Sequence, residues 1–285
     1  MVGCCLACSS SSGTSSDGGA DGRADAAVVT AYDGIIDMTQ GIDSQGSSTA
    51  GVHNGGAMFI SAISDTGIQN GPCKLYPTYA QMPTFLDAGR VAFAGLVAID
   101  LERLSASSNP PGTGEYIVPV GSGRFTAAWT AGQLLTVKVE GTSAVPAVEL
   151  TVAGPTQVTI TSPEIYPYIK IARAQDLSLT WTGGSANASV VLSIATTGPT
   201  GNPTDTSPRL VCQWDSTAGK GTIPASALGA LPAGEAMVRG FNQAQVEQVK
   251  GDWRFTFAAS FSALATCTSA CGGTIREAFA AVTLQ

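Results

Sequence analysis

Few residues in this 285-residue chain have side chains suited to catalysis. The single histidine, His53, lies in the glycine-rich stretch 51–56. A serine hydrolase would have to use it, because proton abstraction from serine needs an imidazole or an equivalent base. The nucleophile-elbow motif Gly-x-Ser-x-Gly is absent from the chain. We therefore interpret His53 as an exposed loop residue rather than a catalytic base.

Paired carboxylates are the other catalytic option, because glycoside hydrolases place one on each side of the scissile bond. The candidate pairs are Asp100 with Glu102, and Glu140 with Glu149. They lie at the ends of predicted strands, where acidic side chains are more typical of a solvated sheet edge. A hydrolase of extracellular glycans that uses carboxylates of the first domain is therefore the alternative hypothesis. No phosphate-binding loop or dinucleotide motif is found, and we predict no cofactor and no catalytic residue.

The seven cysteines form two groups. Four of them lie in the body of the chain: Cys73, Cys212, Cys267 and Cys271. In an exported protein four cysteines allow two disulfides in three connectivities. The spacing of Cys267 and Cys271 predicts a disulfide that closes a short loop, whereas a zinc site would need more Cys or His ligands. Cys212 alternates with inward-facing residues, so both a buried free thiol and a disulfide remain open for it.

The other three cysteines, Cys4, Cys5 and Cys8, stand at the N-terminus. Leu6-Ala7-Cys8 and Val2-Gly3-Cys4 partly match the site at which a bacterial lipoprotein is acylated. The basic and apolar regions of a full secretory signal are lacking, so we expect the natural start to lie further upstream. We interpret residues 1–8 as the remnant of a lipoprotein signal, with Cys8 as the first and Cys4 as the second candidate for lipidation. A cytosolic chain with a chance cysteine cluster is the alternative.

Residues 9–27 are nearly all Ser, Gly, Ala, Asp and Thr, which predicts a disordered tether because such a segment cannot bury apolar surface. Residues 1–65 contain seven acidic side chains and one arginine, whereas the remainder contains 14 acidic and 13 basic side chains. The predicted folded part is therefore almost neutral. It offers no basic stripe for nucleic acid and no cluster of basic residues for anionic lipid.

Composition and alternation predict an all-β protein. Only 12% of the residues are charged, about half of the usual 25%, and the chain holds 34 glycines and 15 prolines. Helix surfaces need charged residues, whereas Thr and Ser suit strands. Apolar residues alternate in many short segments between turn residues, as in a β-sandwich. Gly154-Pro155 divides these segments into two predicted domains, 28–153 and 154–285.

Three segments of the second domain form a common pattern, Asp176 to Gly184, Val211-Cys212 and Gly221 to Leu228. They resemble an immunoglobulin-like module of predicted myxobacterial envelope lipoproteins. The first domain also resembles these proteins, at Gly89-Arg90-Val91 and between Gly141 and Ala147. The resemblance implies a fold, two immunoglobulin-like β-sandwich domains, and carries no biochemical activity.

Together these features predict a non-enzymatic lipoprotein of the cell envelope. We expect a lipid anchor to hold it at the outer membrane or cell surface, or secretion if the chain is not lipidated. Its role would be that of a binding or structural module whose partner is an envelope protein or a glycan. Aromatic residues are the best hint of binding, although the alternation of Trp181, Trp214 and Trp253 places them in the core.

Overall fold

The computed structural model describes residues 31–42, 51–61, 67–76, 84–104, 114–119, 127–164, 169–197, 207–267, 274–277 and 279–285. The predicted signal remnant and tether lie outside these residues, together with Cys4, Cys8 and Cys271.

Strands dominate the described part of the chain. The first half contains β1 to β9, which span Tyr32–Ile42, Gly51–Ser61, Ile68–Asn70, Cys73–Tyr76, Val91–Ala94, Ala98–Arg103, Tyr116–Ile117, Leu134–Val139 and Val148–Ala153. The second half contains β10 to β20, which span Val158–Ser162, Lys170–Ile171, Leu177–Gly183, Ala188–Thr196, Arg209–Asp215, Lys220–Ile223, Gly234–Lys250, Trp253–Ser262, Leu264–Cys267, Thr274–Glu277 and Phe279–Leu284.

Helical structure in these ranges is limited to α1, Ala225–Leu228, and a 3₁₀ turn, Ser216–Ala218. The segment from Pro224 to Gly234 predicts one short helical turn with glycine after it, and α1 confirms the turn. The prediction of an all-β sandwich protein is confirmed.

The strands form two sheets. The large sheet runs in the order β3-β4-β14-β13-β16-β17-β1-β2-β7-β6-β5-β8-β9, with β20 also paired to β16 and β11 paired to β20. The small sheet runs in the order β15-β12-β10-β18-β19. Strand β9, at one end of the large sheet, packs against β16 and β17, so this part of the sheet curls around its own apolar interior.

Two separate hydrophobic cores result. The first lies inside the curled part of the large sheet and is rich in aromatic rings, among them Phe59, Phe93, Trp129 and Phe257. The second lies between the small sheet and the other end of the large sheet, where it is mainly aliphatic. Strand β13 illustrates how a strand lines the second core. Its residues alternate between buried and partly exposed along all nine positions, as expected for a strand with one face in a core.

Each half of the chain contributes strands to the core that is formed mainly by the other half. The 17-residue strand β16 pairs with β13 and β20 along its first part and with β17 along its second part. Strand β17 then lies parallel to β1, with Tyr32 opposite Trp253, and contributes Phe255 and Phe257 to the first core. In the opposite direction, β4 contributes Cys73 to the second core. The domain boundary at Gly154-Pro155 stays a prediction, and each core takes strands from both sides of it.

Two local predictions are wrong. The alternation over 87–99 predicts one strand, but these residues form β5, a turn at Gly95 and the start of β6, and the Gly95 N–H donates to Val97 O at 3.1 Å. His53 was expected in a loop, but it lies in β2, opposite Gln40 of β1. In 87–99 the alternation hides the turn at Gly95, whereas in β2 the glycines around His53 predict a loop although backbone hydrogen bonds to β1 keep them extended.

Candidate binding groove

A surface groove of about 380 Å³ lies beside the first core, where three separate segments meet. These segments are the start of β1, the turn between β16 and β17, and the loop after β8. The lining residues are Tyr32, Thr142, Ser143, Ala144, Pro146, Lys250, Gly251, Asp252 and Trp253. Most of them are exposed, so the groove is open to solvent.

Tyr32 forms the aromatic wall of this groove. Its ring stacks on Trp253 with a centroid distance of 4.9 Å and an interplanar angle of 16°. Trp253 in turn stacks on Phe255, with centroids 5.5 Å apart. Trp253 and Phe255 are buried, whereas Tyr32 remains partly exposed. The ring of Tyr32 is therefore held on a rigid apolar support, with its second face turned away from Trp253.

The turn between β16 and β17 supplies the charged groups of the groove. Lys250 and Trp253 are opposite each other, so Gly251 and Asp252 form a two-residue hairpin loop. Gly251 has a φ of +60°, the pattern of a type II′ turn, and this φ favours glycine. The Asp252 carbonyl accepts hydrogen bonds from the N–H groups of Ala31 and Tyr32, at 2.9 and 3.1 Å, which fixes the turn against β1.

The loop after β8 forms the facing wall and is tightly braced. The Thr142 hydroxyl donates to Asp87 O at 2.7 Å and accepts from the N–H groups of Ala144 and Val145. Val145 is fully buried in the first core. The Lys250 ammonium spans the groove and donates to Ala147 O at 2.6 Å. Both walls are therefore fixed before any ligand binds.

The carboxylate pairs considered for hydrolysis are not among the residues that line the groove. Asp100 and Glu102 are exposed on β6, and Glu149 is exposed on β9 opposite Lys138. Arg90 joins Asp100, at 2.8 Å, to Glu140, at 3.4 Å. The side chains of these three residues are half exposed or more, and both acidic partners raise the pKa of Arg90, Asp100 first. Arg90 thus links Asp100 to Glu140, one residue from each predicted carboxylate pair.

A second carboxylate group lies on the face of β1 that is turned away from the first core. Asp33 is buried and forms an ion pair with Arg254 at 2.9 Å. Asp37 is on the same face, opposite Gly56 of β2 and Ala258 of β17. Burial of its carboxyl group raises the pKa of Asp37 from 3.8 to about 7. Neither aspartate stands out in the sequence, because both resemble turn residues.

Tyr116 and Asp87 form a further polar contact at the edge of the first core. The Tyr116 hydroxyl donates to Asp87 Oδ1 and accepts from the Ala88 N–H, both at 2.9 Å. Burial raises the pKa of Tyr116 to about 12. The Gly89 N–H, followed by the Tyr116 hydroxyl, lowers the pKa of Asp87. This contact fixes the start of β5 against Tyr116 of β7.

Cys73 and Cys212 form a disulfide between β4 and β14. Both residues are fully buried, and Cys212 lies beside Leu210 as the alternation predicted. Of the two alternatives for Cys212, the buried free thiol is therefore wrong. The predicted Cys267–Cys271 disulfide stays a prediction, because Cys271 lies outside the described residues. It is the one pairing left among the four cysteines.

The aromatic residues are placed largely as predicted. Trp181 and Trp253 are buried, and Trp214 packs against the second core while partly exposed. The sequence did not point to Tyr32 or to the groove. The only local sign was the Gly-Asp turn that precedes Trp253, since the contact between Tyr32 and Trp253 depends on the parallel pairing of β1 and β17.

Among the described residues, no helix is long and apolar enough to cross a membrane. The same part of the chain contains no group of three or more His, Cys, Asp or Glu side chains arranged to hold a metal ion.

No family model and no curated protein matches this chain. Solved structures that align with it include three N-terminal domains of the outer capsid protein Hoc from bacteriophage RB49, with 10% identity, 89% of this chain and 71% of that chain covered, and a TM-score of 0.24. A bacterial ice-binding adhesin aligns with 12% identity over 90% of this chain and 66% of its own, at a TM-score of 0.19. The yeast delta-COP-I mu-homology domain aligns with 9% identity over 89% and 97%, at a TM-score of 0.20. These TM-scores are too low for an inference about fold or function.

Proposed function

We propose that this protein is a non-enzymatic lipoprotein of the cell envelope, which holds a pair of β-sandwich cores away from a membrane on a flexible tether. The lipid would be attached to Cys8, or to Cys4 as second choice. In this role the folded part is a binding module for an envelope protein or a glycan.

The observation that carries this proposal is the buried Cys73–Cys212 disulfide. Disulfides persist in oxidising compartments and are rare where the thiol pool is kept reduced. A structural disulfide therefore supports export. In an exported chain, a cysteine cluster followed by a Ser/Gly/Asp stretch is typical of a lipidated N-terminus and its tether.

A non-enzymatic role is favoured by the way the charges are placed. Arg90 neutralises Asp100 and Glu140 on an exposed sheet surface. A glycoside hydrolase needs an acid of raised pKa facing a second carboxylate across a cleft. The exposed pairs lack such an arrangement, so the hydrolase alternative has little support from these residues.

Metabolic labelling with a palmitate analogue tests the anchor. The chain is expressed in a bacterial host with a basic and apolar signal segment placed before Met1, so that only its own cysteines can accept lipid. We expect label in the membrane fraction, and we expect Cys8→Ser to remove it while Cys5→Ser leaves it. Loss on Cys4→Ser would instead assign the second candidate. A chain that is exported with the three N-terminal cysteines intact and carries no label would contradict the proposal.

A further inference from the structure

We propose that the groove between Tyr32 and the loop after β8 binds one unit of an uncharged polysaccharide. This inference specifies the binding role proposed above. It concerns the folded part alone, so its test does not depend on lipidation.

The first reason is the aromatic wall. Sugar rings present flat, apolar C–H faces, and a rigid aromatic ring offers a matching surface at little entropic cost. Tyr32 meets this need because the stack on Trp253 fixes its ring, at 4.9 Å and 16°, while the residue stays partly exposed. A buried core tyrosine would have no free face, and a mobile surface tyrosine would lose freedom on binding.

The second reason is the set of polar groups around this ring. The Lys250 ammonium has three N–H groups, and the bond to Ala147 O uses one of them. Asp252 and Ser143 are exposed on opposite sides of the groove. Together they supply donors and acceptors within one site, as the hydroxyl groups of a sugar require. The Thr142 hydroxyl is already used within its own loop and is not part of this set.

The third reason is charge and shape. One lysine and one aspartate give the groove no net charge, which disfavours phosphate and other anions as ligands. Its volume of about 380 Å³ is at the small end of ligand sites, and its open form suits one unit of a continuing chain better than an enclosed molecule. Both walls are braced by hydrogen bonds, so the site is formed in advance.

The test uses the full chain, with circular dichroism to confirm that the variants fold like the parent. The probes are cellotetraose, chitotetraose and maltotetraose, and binding is measured by saturation-transfer NMR and by titration. We expect at least one probe to bind and its ring protons to receive saturation. We expect Tyr32→Ala to weaken binding at least tenfold and Tyr32→Phe to weaken it less than threefold, because the phenylalanine keeps the ring.

Two further variants separate the groove from the rest of the surface. Asp252→Asn and Ser143→Ala should each weaken binding about two- to tenfold, the loss expected for one hydrogen bond. Glu149→Gln, on the exposed sheet surface, should leave binding unchanged. No binding of any of the three probes at 10-fold molar excess over a millimolar protein sample would overturn the proposal, as would equal binding by Tyr32→Ala. Binding of a proline-rich peptide in place of the sugars would assign the groove to a protein partner and also overturn it.

Discussion

Cys73 and Cys212 lie directly opposite each other in the antiparallel strands β4 and β14, and their disulfide joins residues 139 positions apart in the sequence. The bond attaches the short hairpin of β3 and β4 to the second core. A side-chain contact reinforces it, because Asn70 and Ser226 exchange hydrogen bonds of 3.0 and 3.1 Å. A segment from the first half of the chain is in this way made part of the second core.

Removal of this disulfide should destabilise the protein strongly. We expect the double variant Cys73→Ala with Cys212→Ala to lose about 2–5 kcal/mol of unfolding free energy, because a long loop is no longer closed in the unfolded chain. Urea denaturation measures the loss, with Cys8→Ser as the control that should match the parent. A double variant within about 0.5 kcal/mol of the parent would show that the bond is not structural.

Gln40 should be one of the most sensitive polar residues of the first core. It is buried, and its side-chain oxygen accepts from the N–H groups of Ala128 and Trp129, at 2.7 and 3.0 Å. Gln40→Leu would leave both donors unpaired, which we expect to cost about 2–6 kcal/mol at 1–3 kcal/mol for each buried group. The exposed Gln248 is the matched control, and Gln248→Leu should change stability by less than about 0.5 kcal/mol. Equal effects of the two variants in urea denaturation would contradict the role of Gln40.

Asp37 should make stability depend on pH. Its pKa is about 7 in the folded protein and 3.8 ordinarily. Between these values the folded state binds more protons than the unfolded state, so stability falls as pH rises from about 4 to about 7. We expect Asp37→Asn to remove a slope of up to about 1.4 kcal/mol per pH unit and to be more stable than the parent at pH 8. Thermal unfolding over this pH range measures it.

The control for this prediction is Glu149→Gln, which removes an exposed carboxylate on another strand. It should keep the slope of the parent protein. An unchanged pH profile in Asp37→Asn would mean that other groups cause the dependence.

Cys267 and Cys271 should resist alkylation in the exported protein until a reductant is added. With Cys73 and Cys212 joined, these two are the remaining pair in the body of the chain. Mass mapping of peptides from protein alkylated before and after reduction tests this. Alkylation of both thiols without reduction would show that the predicted bond does not form.

The sequence was informative wherever structure depends on local alternation. The alternation predicts that Leu177, Leu179 and Trp181 form the inner face of their strand. Leu179 and Trp181 are buried, and Leu177 is partly buried against the second core. The short turn after Pro224 was likewise visible, because proline and glycine mark its ends. In such segments the side-chain period of two and the turn residues are enough to decide the local structure.

Prediction failed where strands have unusual residues or distant partners. Strand β1 carries Asp33, Gly34 and Asp37, residues that are depleted in strands, and it was not predicted. It forms because β2 and β17 supply backbone partners on both sides. The second part of β16 is rich in Gln and Glu and was missed for the same reason.

The disulfide and the groove depend on pairing between distant strands. Cys73 meets Cys212 through the register of β4 and β14, and Tyr32 meets Trp253 through that of β1 and β17. Spacing along the chain contains no information on either register. The candidate cysteines and aromatic residues can therefore be identified from the sequence, but which of them contact each other cannot.

The central claim, a lipid-anchored exported protein, is tested most directly by the mass of the N-terminal peptide. The chain is exported with a signal segment placed before Met1, extracted from membranes and digested. The mass of the peptide that begins at the mature N-terminus is then measured by mass spectrometry. We predict that it begins at Cys8, or at Cys4, and carries two or three acyl chains, because a single chain gives only weak membrane binding at about 0.8 kcal/mol per buried methylene. A mature, exported protein that keeps residues 1–8 without acylation and partitions into the aqueous phase would contradict the account.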